Sequence, residues 1–237
     1  MNNLESLIVY QFDNKIRCGD NKDGGYVFAD LGNVYDCYIS AGISNEESFS
    51  RDFINRYNFT KEHSYGFDGT INDYPYQYTN NITFTRKNIN SYDDEHNTNL
   101  LFLTEKYNNI FLKMDIEGGE YPWIKSLNQE DLSKFKQIVI EFHGITNDGW
   151  GCSYNDKVEC LNKLSNTHYL VHAHGNNHSH VSNNIPDVIE LTYVNKNYFF
   201  SVPSFNTTPL PISNLDFSNR DYSTDINLNF YPFVHKK

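Results

Sequence analysis

Two apolar runs in this chain end in groups that can do chemistry. In NIFLKMDIEGGEYPW, residues 109–123, the run from Ile110 to Ile116 is broken by Asp115, and Glu117 and Glu120 follow around Gly118 and Gly119. A second run, KQIVIEFH at 136–143, closes with Glu141 and His143. Carboxylates and an imidazole in such places can move protons near neutral pH. They can also hold a divalent cation. Asp115, Glu117, Glu141 and His143 are therefore candidate acid–base groups or metal ligands. A histidine run, HAHGNNHSH at 172–180, adds His172, His174, His178 and His180, and His174 is a further candidate base.

Bounded apolar runs of this length fit strands buried on both faces. Ligands in open α/β sheets sit at the carboxyl ends of strands, so Asp115 and Glu117 are expected on a crevice floor. The rest of the chain supplies matching elements. After a lead-in at 4–12, KIRCGDNKDGGYV at 15–27 carries a glycine turn before the strand Tyr26-Val27-Phe28. This turn is either a plain hairpin or a loop that lets backbone approach a ligand, with Arg17 as an anion partner. DCYISAGI at 36–43 reads as a strand ending at Ala41-Gly42. Ser44 and Glu47 then have capping-box spacing, ahead of a helix with Phe49, Phe53, Ile54 and Tyr57 on one face.

A strand over 63–68 ends at Asp68, placed to meet ribose hydroxyls. Further strands are expected over 81–87, 167–174 and 187–194, with helices over 97–107, 121–127 and 157–166. Alternating strands and helices predict an α/β fold, a Rossmann-like doubly wound sheet of about seven strands. The last two strands lack a helix-length connection, so the sheet is mostly parallel with one antiparallel strand near the C-terminus. No linker or repeat divides residues 1–237, which reads as one domain with an irregular tail.

The formal net charge is −11, and no Lys/Arg cluster offers the basic face that nucleic acid requires. No stretch approaches the roughly 18 apolar residues of a membrane span. The N-terminus does not have the form of a secretory signal. Cys18, Cys37, Cys152 and Cys160 include no CxxC pair, which fits reduced thiols in a cytoplasmic protein. The oligomeric state is not legible. The 18 Tyr and 17 Phe supply core bulk, and Tyr74, Tyr76, Tyr78 and Trp150 could line a sugar site.

Four segments in order, KDGGYV at 22–27, YISAGI at 38–43, LKMDIEGGEY at 112–121 and IVIEFH at 138–143, resemble class I S-adenosylmethionine (SAM)-dependent methyltransferases. More narrowly, they resemble the FkbM-like group. HAHGNN at 172–177 and VIELTYV at 188–194 look like its closing strand pair. The turn after YISAGI has less glycine than usual, with Gly42 alone, and no GxGxxG supports a dehydrogenase.

The resemblance implies SAM across the ends of the first two strands. Ala41, Gly42 and Ile43 would lie near its methionine part, Asp68 at the ribose, Asn88 at the adenine and Asp115 near the methyl group. It also implies O-methylation of a small-molecule or sugar acceptor, in surface-glycan or natural-product biosynthesis. His143 is the first choice of base, with Asp115, Glu141 and His174 behind it. Asp115, Glu117, Glu141 and His143 could hold a divalent metal. The alternative is a metal-dependent hydrolase built from the same acids and the histidine run.

Overall fold

The computed structural model describes residues 4–220 and 222–235. Seven strands form its main sheet: β1 (Cys37–Ala41), β2 (Ser64–Phe67), β3 (Thr83–Thr85), β4 (Ile110–Met114), β5 (Phe135–His143), β6 (His168–Gly175) and β7 (Val188–Asn195). Their spatial order is β3-β2-β1-β4-β5-β7-β6. The pairs β2–β3, β1–β2, β1–β4 and β4–β5 are parallel. β7 is antiparallel to both β5 and β6. A parallel pair needs a crossover of a dozen or more residues, usually a helix. The 176–187 connection holds only a small two-stranded ladder, so β7 turns back beside β6.

Each central strand is buried on both faces. Ile39, Leu112, Ile138 and Ile140 pack against Leu103 of α2 (Leu101–Lys106), Trp123 and Ile124 of α3 (Glu120–Ser126) and Leu161 of α5 (Tyr154–Thr167). A short α4 (Gln129–Ser133) precedes β5, started by the Asn128/Asp131 capping box. The opposite face carries Tyr38, Phe111 and Val139 against Phe49, Phe53 and Ile54 of α1 (Ser48–Tyr57). There the aromatic residues form one cluster, with Phe53 and Phe111 ring centroids 4.1 Å apart. Tyr74 belongs to this buried cluster rather than to a sugar site.

Two local expectations change. The capping box at Ser44 does not form: α1 starts at Ser48, and Glu46 rather than Ser44 accepts from its first amide. The helix expected over 97–107 begins only at Leu101, because Asn97–Thr98 pairs with Asn88–Ile89. The tail is irregular but packed, with Leu210, Leu228 and Phe233 in the core.

A hairpin of Lys15–Cys18 and Tyr26–Ala29 covers the α1 side of the sheet. It is held by a polar side chain inside the core. Gln137 of β5 is fully buried, accepts from the Ala29 amide at 3.0 Å and donates to the Ala29 carbonyl at 3.0 Å and the Tyr35 hydroxyl at 2.7 Å. An apolar replacement strands buried amide groups, each at a cost of about 1–3 kcal/mol. Gln137→Leu should therefore lower unfolding stability by roughly 2–4 kcal/mol in a urea titration. A midpoint within error of wild type would mean that the hairpin does not depend on this residue.

Candidate active site

The site begins at the turn after β1. Gly42 has φ +78°, and a Cβ there would lie 1.5 Å from the Asp115 carbonyl oxygen. Only glycine lets the β1 turn and the end of β4 come this close. The Asp115 amide donates to the Ala41 carbonyl at 2.9 Å, and Lys113 Nζ donates to the Gly42 carbonyl at 3.0 Å. Asp68, just past β2, completes the turn. Its Oδ2 accepts from the Ile43 and Ser44 amides at 2.9 and 2.8 Å, and its Oδ1 from the Thr70 amide and hydroxyl at 2.7 and 2.6 Å. Burial pushes the Asp68 pKa up, but these donors outweigh it and hold it below the usual value.

Above the turn lies a crevice of about 680 Å³. Gly42, Ile43, Asp68, Asn88 and Asp115 line it, as does Glu117; Ala41 is buried beneath and does not. The hairpin turn forms the opposite wall through Lys22, Asp23, Gly24 and Tyr26. Gly24 has φ +87°, and a Cβ there would meet Glu46 at 1.8 Å, so this turn presses on the 44–46 loop. The 22–25 turn is thus both a hairpin turn and a crevice wall. Arg17 is no anion partner, because its guanidinium donates to the carbonyls of Asp20, Lys22 and Leu215.

One end of the crevice is acidic. Pairing aligns Glu141 with Glu190 and Glu190 with His174. Asp115 follows Met114, which pairs with Ile140, and so reaches the level of Glu141. The buried Tyr26 hydroxyl lies 3.2 Å from Asp115 Oδ2 and 3.4 Å from Glu141 Oε2. Asn176 donates to Glu141 Oε1 at 2.9 Å. Burial, then the charges of Asp115 and Glu190, push Glu141 well above the usual carboxylate range.

His143 ends β5 beneath this group, with Trp150 packed on its ring at 5.0 Å. Its Nδ1 lies 3.1 Å from Glu120 Oε1, and Glu120 is fully buried at the start of α3. Its Nε2 lies 3.3 Å from Glu117, 3.6 Å from Glu141 and 3.9 Å from Asp115. Burial would lower the His143 pKa, but the Glu120 hydrogen bond and the charges of Glu120, Asp115 and Glu117 raise it overall. Burial also raises Glu117, against the pull of His143.

The Methyltransferase FkbM domain model matches residues 11–180, well over half of the chain. The chain belongs to the FkbM methyltransferase family. It is a class I SAM-dependent methyltransferase. No curated protein matches its sequence. Among solved structures, a TehB-like SAM-dependent methyltransferase from Corynebacterium glutamicum aligns at 13% identity, over 68% of this chain and 82% of its own, with a TM-score of 0.40.

The crevice of this FkbM methyltransferase fits the cofactor on its own geometry. Its volume lies within the range of roughly 300–1,000 Å³ usual for small-ligand sites, and the side-chain-free turn at Gly42 forms part of its wall. Asp68 lies where ribose hydroxyls are expected, but four protein donors already occupy its carboxylate. Removing it would disturb the turn as well as any ligand.

The structure brings Asp115, Glu117 and His143 together, with one ligand atom from each within 4.8 Å of the others. Glu141 is adjacent but already bonded to Tyr26 and Asn176. His174 is not available as a base, since Glu190 takes its Nδ1 at 3.1 Å and Asp225 its Nε2 at 3.0 Å. His172 pairs with Asp216, while His178 and His180 are exposed on a loop. The histidine run therefore does not assemble a hydrolase site with the strand-end acids. Sequence reasoning missed Tyr26, Lys113 and Asn176 as parts of the site. In the sequence Glu120 is legible only as an acid beside the glycine pair, and its position at the start of the helix after β4 is its signal.

For His174, burial lowers the pKa, but Glu190 and Asp225 outweigh it and hold the ring well above its usual value. The stabilisation from this ion pair is fully present below the unfolded-state pKa of about 6.5, and is lost as pH rises through the raised folded-state pKa. His174→Gln should cost roughly 3 kcal/mol near pH 6, the scale of a broken buried pair. The deficit should shrink in urea titrations at progressively alkaline pH. A pH-independent deficit would show that His174 folds uncharged.

Proposed function

We propose that the protein transfers the methyl group of SAM to a hydroxyl of a small, neutral acceptor of the carbohydrate class. The observation that carries this reading is the Glu120–His143 pair, at the start of α3 and the end of β5. It sets a buried imidazole, oriented from behind by a buried carboxylate, next to Asp115 and Glu117; these two line the crevice and His143 lies behind them. The acidic walls, the net charge of −11 and the absence of a basic cluster favour a neutral acceptor over a polyanion.

When bound, SAM supplies an electrophilic methyl group on a sulfonium. The protein must then place the acceptor oxygen in line with that carbon and remove the hydroxyl proton. His143 Nε2 accepts the proton while Nδ1–H remains on Glu120, which fixes the tautomer and stabilises the imidazolium. Asp115 and Glu117 favour the same charge. The O–CH3 bond forms as the C–S bond breaks, and the products are a methyl ether and S-adenosylhomocysteine. His143 then returns its proton to solvent.

A second reading rests on the convergence of Asp115, Glu117 and His143. These three could hold a divalent cation that lowers the pKa of the acceptor hydroxyl, with Glu120 as the carboxylate behind the histidine. His143 Nε2 would then be a ligand and could not be the base.

The test is transfer of labelled methyl from SAM to a panel of monosaccharides and glycosides. Label on hydroxyl oxygen is expected, and label only on nitrogen or carboxylate would overturn the proposal. Because the His143 pKa is raised above its usual value, kcat should rise with pH above about 6.5 as His143 loses its proton. His143→Ala should lower kcat by about 10²-fold or more and leave SAM affinity unchanged in calorimetry. Loss of activity in EDTA, restored by magnesium or manganese, would favour the metal reading. Full activity after exhaustive chelation would exclude it.

A further inference from the structure

Among the described residues, the Lys113 ammonium is the crevice lysine that forms no ion pair. Lys113 lies on β4, lines the crevice and is 5% exposed. It donates to the Gly42 carbonyl at 3.0 Å and lies 5.3 Å from the centre of the Tyr26 ring. An ammonium has three N–H donors, and among the described residues no carboxylate forms an ion pair with this one. Its charge moderates the raised pKa of buried Glu47, yet Glu47 is bonded to Ser40 and Tyr74 instead. The other crevice lysines are engaged, Lys22 with Asp20 and Lys87 with Asp93.

A buried ammonium that forms no ion pair and keeps N–H donors unmet is costly, and a ligand that brings an anion would complete it. SAM carries one anionic group, the carboxylate of its amino-acid end. Apart from Lys22, which faces Asp20, the charged groups at this end of the crevice are the acids Asp23, Glu46 and Asp115, which suit its ammonium and sulfonium but repel a carboxylate. We propose that Lys113 binds the cofactor's carboxylate and so sets its direction, amino acid toward Tyr26 and the hairpin turn, adenosine toward Asp68 and Asn88. This rests on the SAM-dependent reading of the crevice.

The test compares SAM with decarboxylated SAM by calorimetry, in the wild type, Lys113→Gln and Lys22→Gln. Lys113→Gln keeps an N–H donor on the side chain but removes the charge. Wild type should bind SAM at least about tenfold more tightly than the decarboxylated form, the size of a charge-assisted hydrogen bond. Lys113→Gln should close that gap by weakening SAM alone, and Lys22→Gln should leave it open. A gap that persists in Lys113→Gln, equal weakening of both ligands, or a gap closed by Lys22→Gln overturns the assignment. Equal affinity of the two ligands for wild type overturns it without any variant. Binding of neither ligand to wild type would remove the SAM reading itself, and this proposal with it.

Discussion

The close approach of the β1 turn to the end of β4 is the constraint on which the site depends. No side chain separates Gly42 from the Asp115 carbonyl. That contact lets the Ala41 carbonyl receive the Asp115 amide and the Gly42 carbonyl receive Lys113. Asp68 fixes the other side of the turn through two backbone amides. The floor and one wall of the crevice are thus a single hydrogen-bonded unit. A displacement of β4 against β1 would move Asp115, Lys113 and the turn together.

Around this unit the fold concentrates acidic groups, two of them, Glu120 and Glu141, buried. Asp115, Glu117, Glu120 and Glu141 surround one histidine. Desolvation of such groups is expensive unless each finds a partner. The hairpin answers part of this with Tyr26, and the loop after β6 answers another part with Asn176. What remains is a local excess of carboxylate beside a half-open crevice. That is a favourable setting for a cationic cofactor, and for an imidazole that must accept a proton.

The same side of the sheet continues into a structural network. Glu190 sits beside Glu141 on the neighbouring strand, but its partners are His174 and Asn219. Asp225 and Asp216 reach in from the tail to His174 and His172. Chemically similar residues at neighbouring positions in one sheet therefore do two jobs. What separates them is coverage: the tail closes over β6 and β7, while the ends of β1, β2 and β4 stay open.

Much of the architecture was legible in the sequence, because it follows from local patterns. The apolar runs at 110–114 and 138–142 had to be buried strands. The short link before 188–195 forced the antiparallel strand, and Gly42 and Asp68 stood at strand ends where ligands bind. Tertiary structure alone decided which polar groups were spent on the fold. His174 and His143 both end apolar strands in the sequence, yet the tail neutralises one and a helix-start glutamate orients the other. Arg17 and Ser44 were similarly absorbed by carbonyls and by Asp68. Tyr26 and Lys113 gave no sequence signal, since a tyrosine after a glycine turn and a lysine inside a strand look like ordinary core and edge residues. A side chain's type and spacing follow from the sequence, but its free hydrogen-bonding capacity depends on partners as distant in the chain as Asp225 is from His174. Only the folded contacts determine that.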